Sequence, residues 1–200
     1  MESIFEMQQR LNILTMGKIG LDFDEEVGNP ERRLLWIENY RKAFSAELAE
    51  LIREVDEFGI GTQNGKVEIV DLLHFLVSLS QVVGVPPVEL SIPERTEESF
   101  TSRAIATFLA LDDLQNSMKW KWWAKGGGFK EEKAREAVHK LWECFGTLCG
   151  IFGMDFEAVK GIYVAKNRVN IDRQERGYNE DTKTEADNLT IPCPENGPGQ

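Results

Sequence analysis

The sequence predicts an all-α fold, a helical bundle of two weakly related helical hairpins. Two observations support this class. Clusters of Gly and Pro divide the 200-residue chain into helix-sized segments, and no stretch alternates apolar and polar residues over the length of a strand. We therefore predict helices at residues 2–15, 31–57, 66–83, 98–119, 130–150 and 155–173.

Each predicted helix ends where the sequence provides a helix breaker. The breaks lie at residues 17–20, 59–65, 85–93 and 126–128, and at Gly153. Glycine adopts left-handed backbone angles readily, and proline lacks the N–H that a helix interior needs. The segments between the breaks are therefore expected to fold as separate helices.

Two segments resemble one another as copies of a helix-turn-helix unit. Residues 72–90 can be aligned with residues 141–159 so that Gly84 falls on Gly153. In each copy an apolar helix is expected to end at the glycine and a short helix to follow. After Gly177 the chain turns polar, acidic and rich in Pro and Gly. We therefore predict one domain over residues 1–178 and an acidic tail over 179–200.

The charge of the chain limits its partners. The 23 Lys+Arg stand against 34 Asp+Glu, a formal net charge of −11. Affinity for nucleic acid polymers or anionic membranes comes from clustered cations, so we expect neither partner. No signal peptide and no apolar span of membrane length is recognisable, so a cytosolic location, bacterial or in a phage-infected host, is expected. A phosphorylated small ligand would need a divalent cation between itself and the carboxylates.

Two pairs of carboxylates form a candidate metal site. Glu68 and Asp71 share a face of a predicted helix, residues 67–79, that is otherwise apolar on nearly every side. Burying an unpaired carboxylate is costly, so a cation must face this pair. Glu47 and Glu50 form a second pair one helix earlier, and an antiparallel hairpin would bring all four together. Such an oxygen-only cluster suits Mg²⁺, or Mn²⁺, although Glu47 and Glu50 alone could be a solvated surface pair.

These motifs are similar to those of a known family. ELAEL at 47–51 followed by VEIVDLLHF at 67–75 resembles the paired E-x-x-E and E-x-x-D motifs of the all-α nucleoside triphosphate pyrophosphatases, which include MazG and the dimeric dUTPases. YVAKNRVNIDRQERGY at 163–178 is similar to the K-N-x-x-N-x-x-R-Q-x-x-G-Y segment of the dimeric dUTPases, and MQQRLN at 7–12 is similar to their first helix. The chain departs from that family in one respect. Its Trp/Lys-rich string KWKWWAK, at 119–125, follows the second acidic motif instead of preceding it.

The residues of the C-terminal motif agree with this resemblance. Lys166, Asn170 and Arg173 recur at helical spacing, so one face would present two cations and an amide donor, as a polyphosphate needs. An amphipathic helix whose basic side chains lie along its surface would give the same spacing. Gly177 would end the helix and place Tyr178 near the same opening.

The resemblance implies Mg²⁺-dependent hydrolysis of a deoxynucleoside triphosphate, most readily dUTP, to the monophosphate and pyrophosphate by a homodimer. Glu47, Glu50, Glu68 and Asp71 would hold the metal, and Glu50, or Glu47, would deprotonate the attacking water. Gln8 and Asn12 would contact the base. An aromatic of the 119–125 string, with Trp122 as the candidate, would stack on it, unless that string is only an aromatic cluster at a helix end. The resemblance thus implies Glu50 and Glu47 as catalytic residues and Glu47, Glu50, Glu68 and Asp71 as metal ligands. It implies that Lys166, Asn170, Arg173 and Tyr178 bind the phosphates and that Gln8, Asn12 and Trp122 bind the base.

Other functions fit parts of the sequence. An enzyme directed to dCTP, one with dual dUTP/dCTP activity, or a broad MazG-like pyrophosphatase would share the metal chemistry. A ferritin-like di-metal carboxylate bundle would use Asp71 with His74 and Glu136 with His139, each spaced i, i+3. A catalytically inactive binding module of the same fold would use its acidic surface to engage a protein.

Overall fold

The computed structural model describes residues 1–94, 96–177 and 191, and all of its regular structure is helical. The helices are α1 (Glu2–Lys18), α2 (Phe23–Gly28), α3 (Pro30–Phe58), α4 (Gln63–Val83), α5 (Phe100–Ser117), α6 (Glu131–Ile151) and α7 (Phe156–Glu175). The prediction of an all-α fold is therefore confirmed, and no helix in the described ranges is both long and apolar enough to cross a bilayer.

The short helix α2 was not predicted. Its N-cap is Asp22, whose carboxylate accepts a hydrogen bond of 2.9 Å from the backbone N–H of Glu25. An acidic N-cap followed three residues later by Glu is a known helix start, so the sequence did contain the signal. With six residues, α2 is too short to show an apolar periodicity.

Helix α4 lies at the centre of the molecule. It packs against α1, α3, α6 and α7, and most of its side chains are buried. The most extensive helix pairs are α3 with α4 and α5 with α6, which form the two hairpins. The polar side chains of α4 therefore meet residues of other helices instead of solvent.

The expected similarity between the two copies holds only at their glycines. Gly84 and Gly153 both have positive φ, 81° and 63°, and each follows the end of a helix. A short helix was expected after Gly84 but none forms between α4 and α5 among the described residues. Pro86 and Pro87 explain this, because each lacks an N–H and the first also restricts its neighbour to extended angles.

The turn between α3 and α4 is fixed by side-chain hydrogen bonds. Glu54, near the end of α3, accepts from the hydroxyl of Thr62 at 2.6 Å and from the amide of Asn64 at 3.0 Å. Thr62 also caps α4 by accepting from the N–H of Gly65. These contacts set the position of α4 along α3, and with it the position of one carboxylate pair relative to the other.

Part of the C-terminal region returns to this end of the bundle. Of residues 179–200 the structure describes only Ile191, which is buried, and its carbonyl accepts a hydrogen bond of 3.0 Å from the side chain of Gln63.

Candidate active site

A cavity of about 360 Å³ lies between α1, α3, α4 and α7. Eight residues singled out from the sequence line it: Gln8, Asn12, Glu47, Glu50, Asp71, Lys166, Asn170 and Arg173. They come from both ends and the middle of the chain, so only the folded bundle brings them together.

Glu47 and Glu50 line the cavity, and they are close enough to Glu68, which is not part of the lining, to share a cation with it. Glu47, Glu50 and Glu68 each offer one oxygen, and these oxygens lie within 4.8 Å of one another. Glu68 is only 3% exposed, and its Oε2 has no hydrogen-bond partner among the described residues. Its pKa is raised to about 8, mainly by burial and then by the charges of the nearby carboxylates, Asp71 first. An orphaned oxygen among like charges is the environment that a bound divalent cation would relieve.

Asp71 connects this cluster to α7. Its Oδ2 lies 2.6 Å from the Nζ of Lys166, and both side chains are buried. Asn170 and Arg173, one and two turns farther along α7, line the same cavity. The cationic side of the site therefore lies on α7, across the cavity from α3.

The end of the cavity at α1 is formed by a buried polar network. Gln8 and Asn12 join through a hydrogen bond of 2.9 Å, and both are buried. Gln8 also contacts Nδ1 of His74 and the hydroxyl of Tyr163, each at 2.8 Å. The pKa of His74 is lowered to about 3, mainly by burial and then by the charge of Lys166, so this ring is neutral. The amides of α1 are therefore held in position by α4 and α7.

The aromatic side chains at the cavity differ from those expected. Trp36 and Tyr40 of α3 line it, with ring centroids 6.0 Å apart. The indole N–H of Trp36 donates to Glu26 at 2.9 Å, and Glu26 is buried and paired with Arg32. This contact fixes the indole in the cavity wall.

Trp122 does not lie at this cavity. It is 85% exposed, in the connection between α5 and α6, and its ring contacts Trp123 edge to face. The displaced Trp/Lys-rich string thus lies on the surface of the α5–α6 hairpin, away from the cavity lining.

Trp36 and Tyr40 were not predicted from the sequence, and His74 was not expected in the nucleotide site. Trp36, Tyr40 and Glu47 are spaced i, i+4 and i+11, so they share one face of α3. This spacing was a usable signal for the aromatic pair once Glu47 was singled out. The position of His74 next to Gln8 carries no such signal, because it depends on how α1 packs on α4.

The structure separates the residues of a ferritin-like site. Asp71 and His74 are buried on α4, whereas Glu136 and His139 are exposed on α6. Within the described residues, the carboxylate group that could hold a metal contains none of these four. Tyr178, expected near the phosphates, lies outside the described residues.

A comparison with protein families adds an independent finding. A family model described as dUTPase matches residues 1–178. No curated protein gives a match, and no solved structure does.

Proposed function

The chain belongs to the family of dimeric dUTPases, and from this premise we propose that it hydrolyses a deoxynucleoside triphosphate, most readily dUTP, in a Mg²⁺-dependent reaction. The bond between the α- and β-phosphates breaks, water supplies the new oxygen, and the products are the monophosphate and pyrophosphate. We assign this activity to residues 1–178.

The metal would be held by Glu47, Glu50, Glu68 and Asp71. Support comes from the close approach of the three glutamates and from the orphaned Oε2 of Glu68. All of the donors are carboxylate oxygens, which suit Mg²⁺, and Mn²⁺ as a substitute. When bound, the ion supplies positive charge to the triphosphate and acidifies a water molecule.

Glu50 would orient the attacking water and take its proton, with Glu47 beside it as the alternative base. Both carboxylates line the cavity from α3. A general base must lie within hydrogen-bond reach of the water that it deprotonates. Because that water attacks the scissile phosphate, the carboxylate nearest this phosphate would be the base.

Lys166, Asn170 and Arg173 would bind the phosphates. Two cations and an amide on one helix face can offset the negative charge that develops on the leaving pyrophosphate. Tyr178 belongs to the same motif, and we assign it to the same phosphate-binding group. Lys166 pairs with Asp71 at 2.6 Å, so it can stabilise both a metal ligand and a phosphate oxygen.

Gln8 and Asn12 would read the edge of the base, and Trp36 with Tyr40 would provide the stacking surface. We favour these two aromatics over Trp122, because they line the cavity that also contains the carboxylates. A stacking role for Trp122 would require that it reach the cavity of a second subunit.

The observation that carries the proposal is the opposition of charges across one cavity. Glu47 and Glu50 of α3 and Asp71 of α4 line it as carboxylates, and Lys166 and Arg173 line it from α7. A nucleotide triphosphate with its metal ion is complementary to both sides.

The test is pyrophosphate release from a panel of dNTPs, with and without Mg²⁺. We expect release from dUTP only with Mg²⁺, and a loss of at least about 100-fold in Glu50→Gln. Glu57→Gln is the matched control, because Glu57 is an exposed carboxylate at the end of the same helix. A folded wild-type protein that releases no pyrophosphate from any dNTP would contradict the proposal and favour an inactive binding module.

The same panel decides the base. Ranking by kcat/KM separates a dUTPase from an enzyme that prefers dCTP, uses both, or acts broadly as MazG-like proteins do.

A further inference from the structure

One buried nitrogen at the edge of the cavity has no role in the site described so far. His74 is 4% exposed, its ring lies in the cavity wall, and its Nε2 has no hydrogen-bond partner among the described residues. Native structures rarely leave a buried polar atom unpaired, so such an atom calls for an explanation.

The protonation of this ring follows from a chain of hydrogen bonds that starts at a backbone carbonyl. The side-chain nitrogen of Gln81 donates to the carbonyl of Phe5 at 2.9 Å, and a carbonyl can only accept. The oxygen of Gln81 is therefore the atom that accepts from the amide nitrogen of Asn12, at 3.0 Å. Asn12 in turn accepts through its oxygen from the nitrogen of Gln8, at 2.9 Å. Each amide orientation is thus fixed by the one before it.

At the end of this chain, the oxygen of Gln8 faces His74. It lies 2.8 Å from Nδ1 of the ring and carries no hydrogen, so Nδ1 must hold the proton. The neutral ring then has a bare lone pair on Nε2. Stacking on Tyr163, with centroids 4.3 Å apart, holds the ring in place. Nε2 is itself buried, on a ring that lines the cavity, so it is an acceptor in the cavity wall that no described residue satisfies.

We propose that His74 is a specificity-determining residue of the nucleotide site, and that its Nε2 accepts a hydrogen bond from an N–H or O–H donor on the nucleoside part of the substrate. This inference rests on the proposed function. An ionised triphosphate carries no such donor, so His74 cannot serve the phosphates. The donors that a deoxyuridine nucleotide offers are the ring N3–H and the 3′-hydroxyl, and the experiment separates them.

The decisive variant is His74→Asn. An asparagine amide can reach the position of Nδ1 and still donate to Gln8, but it places no acceptor at the position of Nε2. Tyr163→Phe is the matched control, because it removes a hydrogen bond to Gln8 and keeps both the stacked ring and the Nε2 of His74. We expect Tyr163→Phe to leave the ranking of ligands unchanged.

Binding is measured with Mg²⁺ and the α,β-imido triphosphates of deoxyuridine, N3-methyldeoxyuridine and 2′,3′-dideoxyuridine. For the wild type, we expect the analogue that lacks the donor to bind about 10- to 100-fold more weakly than the parent. In His74→Asn that penalty should shrink by the same factor. A penalty that stays the same in His74→Asn for both analogues would overturn the inference.

Nitrogen-15 NMR of the histidine rings gives a second readout, which a purely structural role would not change. The chain has two histidines, so His139→Asn assigns the spectrum. We expect His74 to carry its proton on Nδ1 in the free protein, and its Nε2 resonance to move upfield when the parent ligand saturates the site. A proton on Nε2, or an Nε2 resonance that ligand does not move, would contradict the inference.

These measurements also separate the two proposals. Wild-type protein that binds the imido nucleotides with the expected coupling, yet hydrolyses no dNTP, would refute the proposed function and keep the role of His74. Wild-type protein that binds none of the three would refute both.

Discussion

At the scale of single residues, Glu68 shows how the site is stabilised. Its pKa lies near 8 in the folded protein against an ordinary value of 4.5, because it is buried among other carboxylates. Without metal, and between pH 4.5 and about 8, Glu68 therefore carries a proton in the folded protein but not in the unfolded chain. The free energy of unfolding then falls as the pH rises from about 5 to 8. A bound cation would take the place of that proton.

We therefore predict opposite effects of Glu68→Gln in the two states of the site. Without metal, the variant should melt a few degrees higher than wild type at pH 8, because it removes a negative charge that is poorly solvated. It should also lose most of the fall in stability between pH 5 and 8. With Mg²⁺, wild type should gain stability and the variant should not. Thermal melts across pH, with and without Mg²⁺, check this, and Glu57→Gln should behave as wild type in both. Equal stabilisation of Glu68→Gln by Mg²⁺ would show that Glu68 is not a ligand.

At the scale of helices, a close backbone contact holds the segment after α4 against α6. A Cβ atom added at Gly146 would lie 2.1 Å from the carbonyl oxygen of Ser91, and one at Gly150 would lie 2.8 Å from that of Pro93. These two glycines are one turn apart on α6, so together they form a flat strip on which the extended segment lies. The ring of Pro93 also faces Gly150 in this contact.

Gly146→Ala should therefore destabilise the protein by about 1 to 3 kcal/mol, because backbone on both sides of the contact must move apart. Gly161→Ala is the control in α7, where an added Cβ has no atom within 4 Å. That substitution should be neutral or stabilising by up to about 1 kcal/mol, since alanine favours a helix interior. Urea denaturation of the two variants measures the difference. Equal free energies of unfolding for the two variants would show that the segment after α4 is not in close contact with α6.

The packing of the helices also explains which features of the fold and site could be predicted from the sequence. The main helices could be predicted because Gly and Pro mark their ends, and the carboxylate pairs because Glu68 and Asp71 interrupt an apolar helix. Trp36 could have been found from its spacing to Glu47 on α3, but its hydrogen bond to Glu26, across the turn between α2 and α3, could not. His74 was missed because its role depends on contacts with Gln8 and Tyr163, 66 and 89 residues away in sequence. Periodicity within one helix gives no information on such contacts.

At the scale of the whole molecule, the charge of −11 is unevenly distributed. Carboxylates gather at one side of the cavity and cations of α7 at the other, so the substrate site is bipolar although the protein is acidic. The α5 side of the bundle has a different character. An apolar groove of about 440 Å³ lies between α3 and α5, and its lining includes Ile52, Ile105 and Phe108.

The exposed apolar residues of α5 indicate how two copies of the chain would associate. Ile105, Phe108 and Leu109 share one face of α5 and are exposed, with Phe108 at 59%. Contiguous exposed apolar side chains are typical of interaction surfaces, and the resemblance to dimeric dUTPases makes a second copy of this chain the expected occupant. We therefore predict a homodimer that Phe108→Glu converts to monomer, because the substitution would bury an unpaired charge at the interface.

Light scattering after size exclusion measures the mass of each species, and Trp122→Glu is the control. Trp122 is as apolar as Phe108 and more exposed, but it lies on the α5–α6 connection. We expect Trp122→Glu to stay dimeric, which would place the contact at the groove and not at exposed aromatics in general. If Trp122→Glu becomes monomeric and also raises KM for dUTP, the interface lies at the Trp/Lys-rich string and Trp122 reaches the partner's cavity. A wild-type protein that stays monomeric at all concentrations would contradict the assembly altogether.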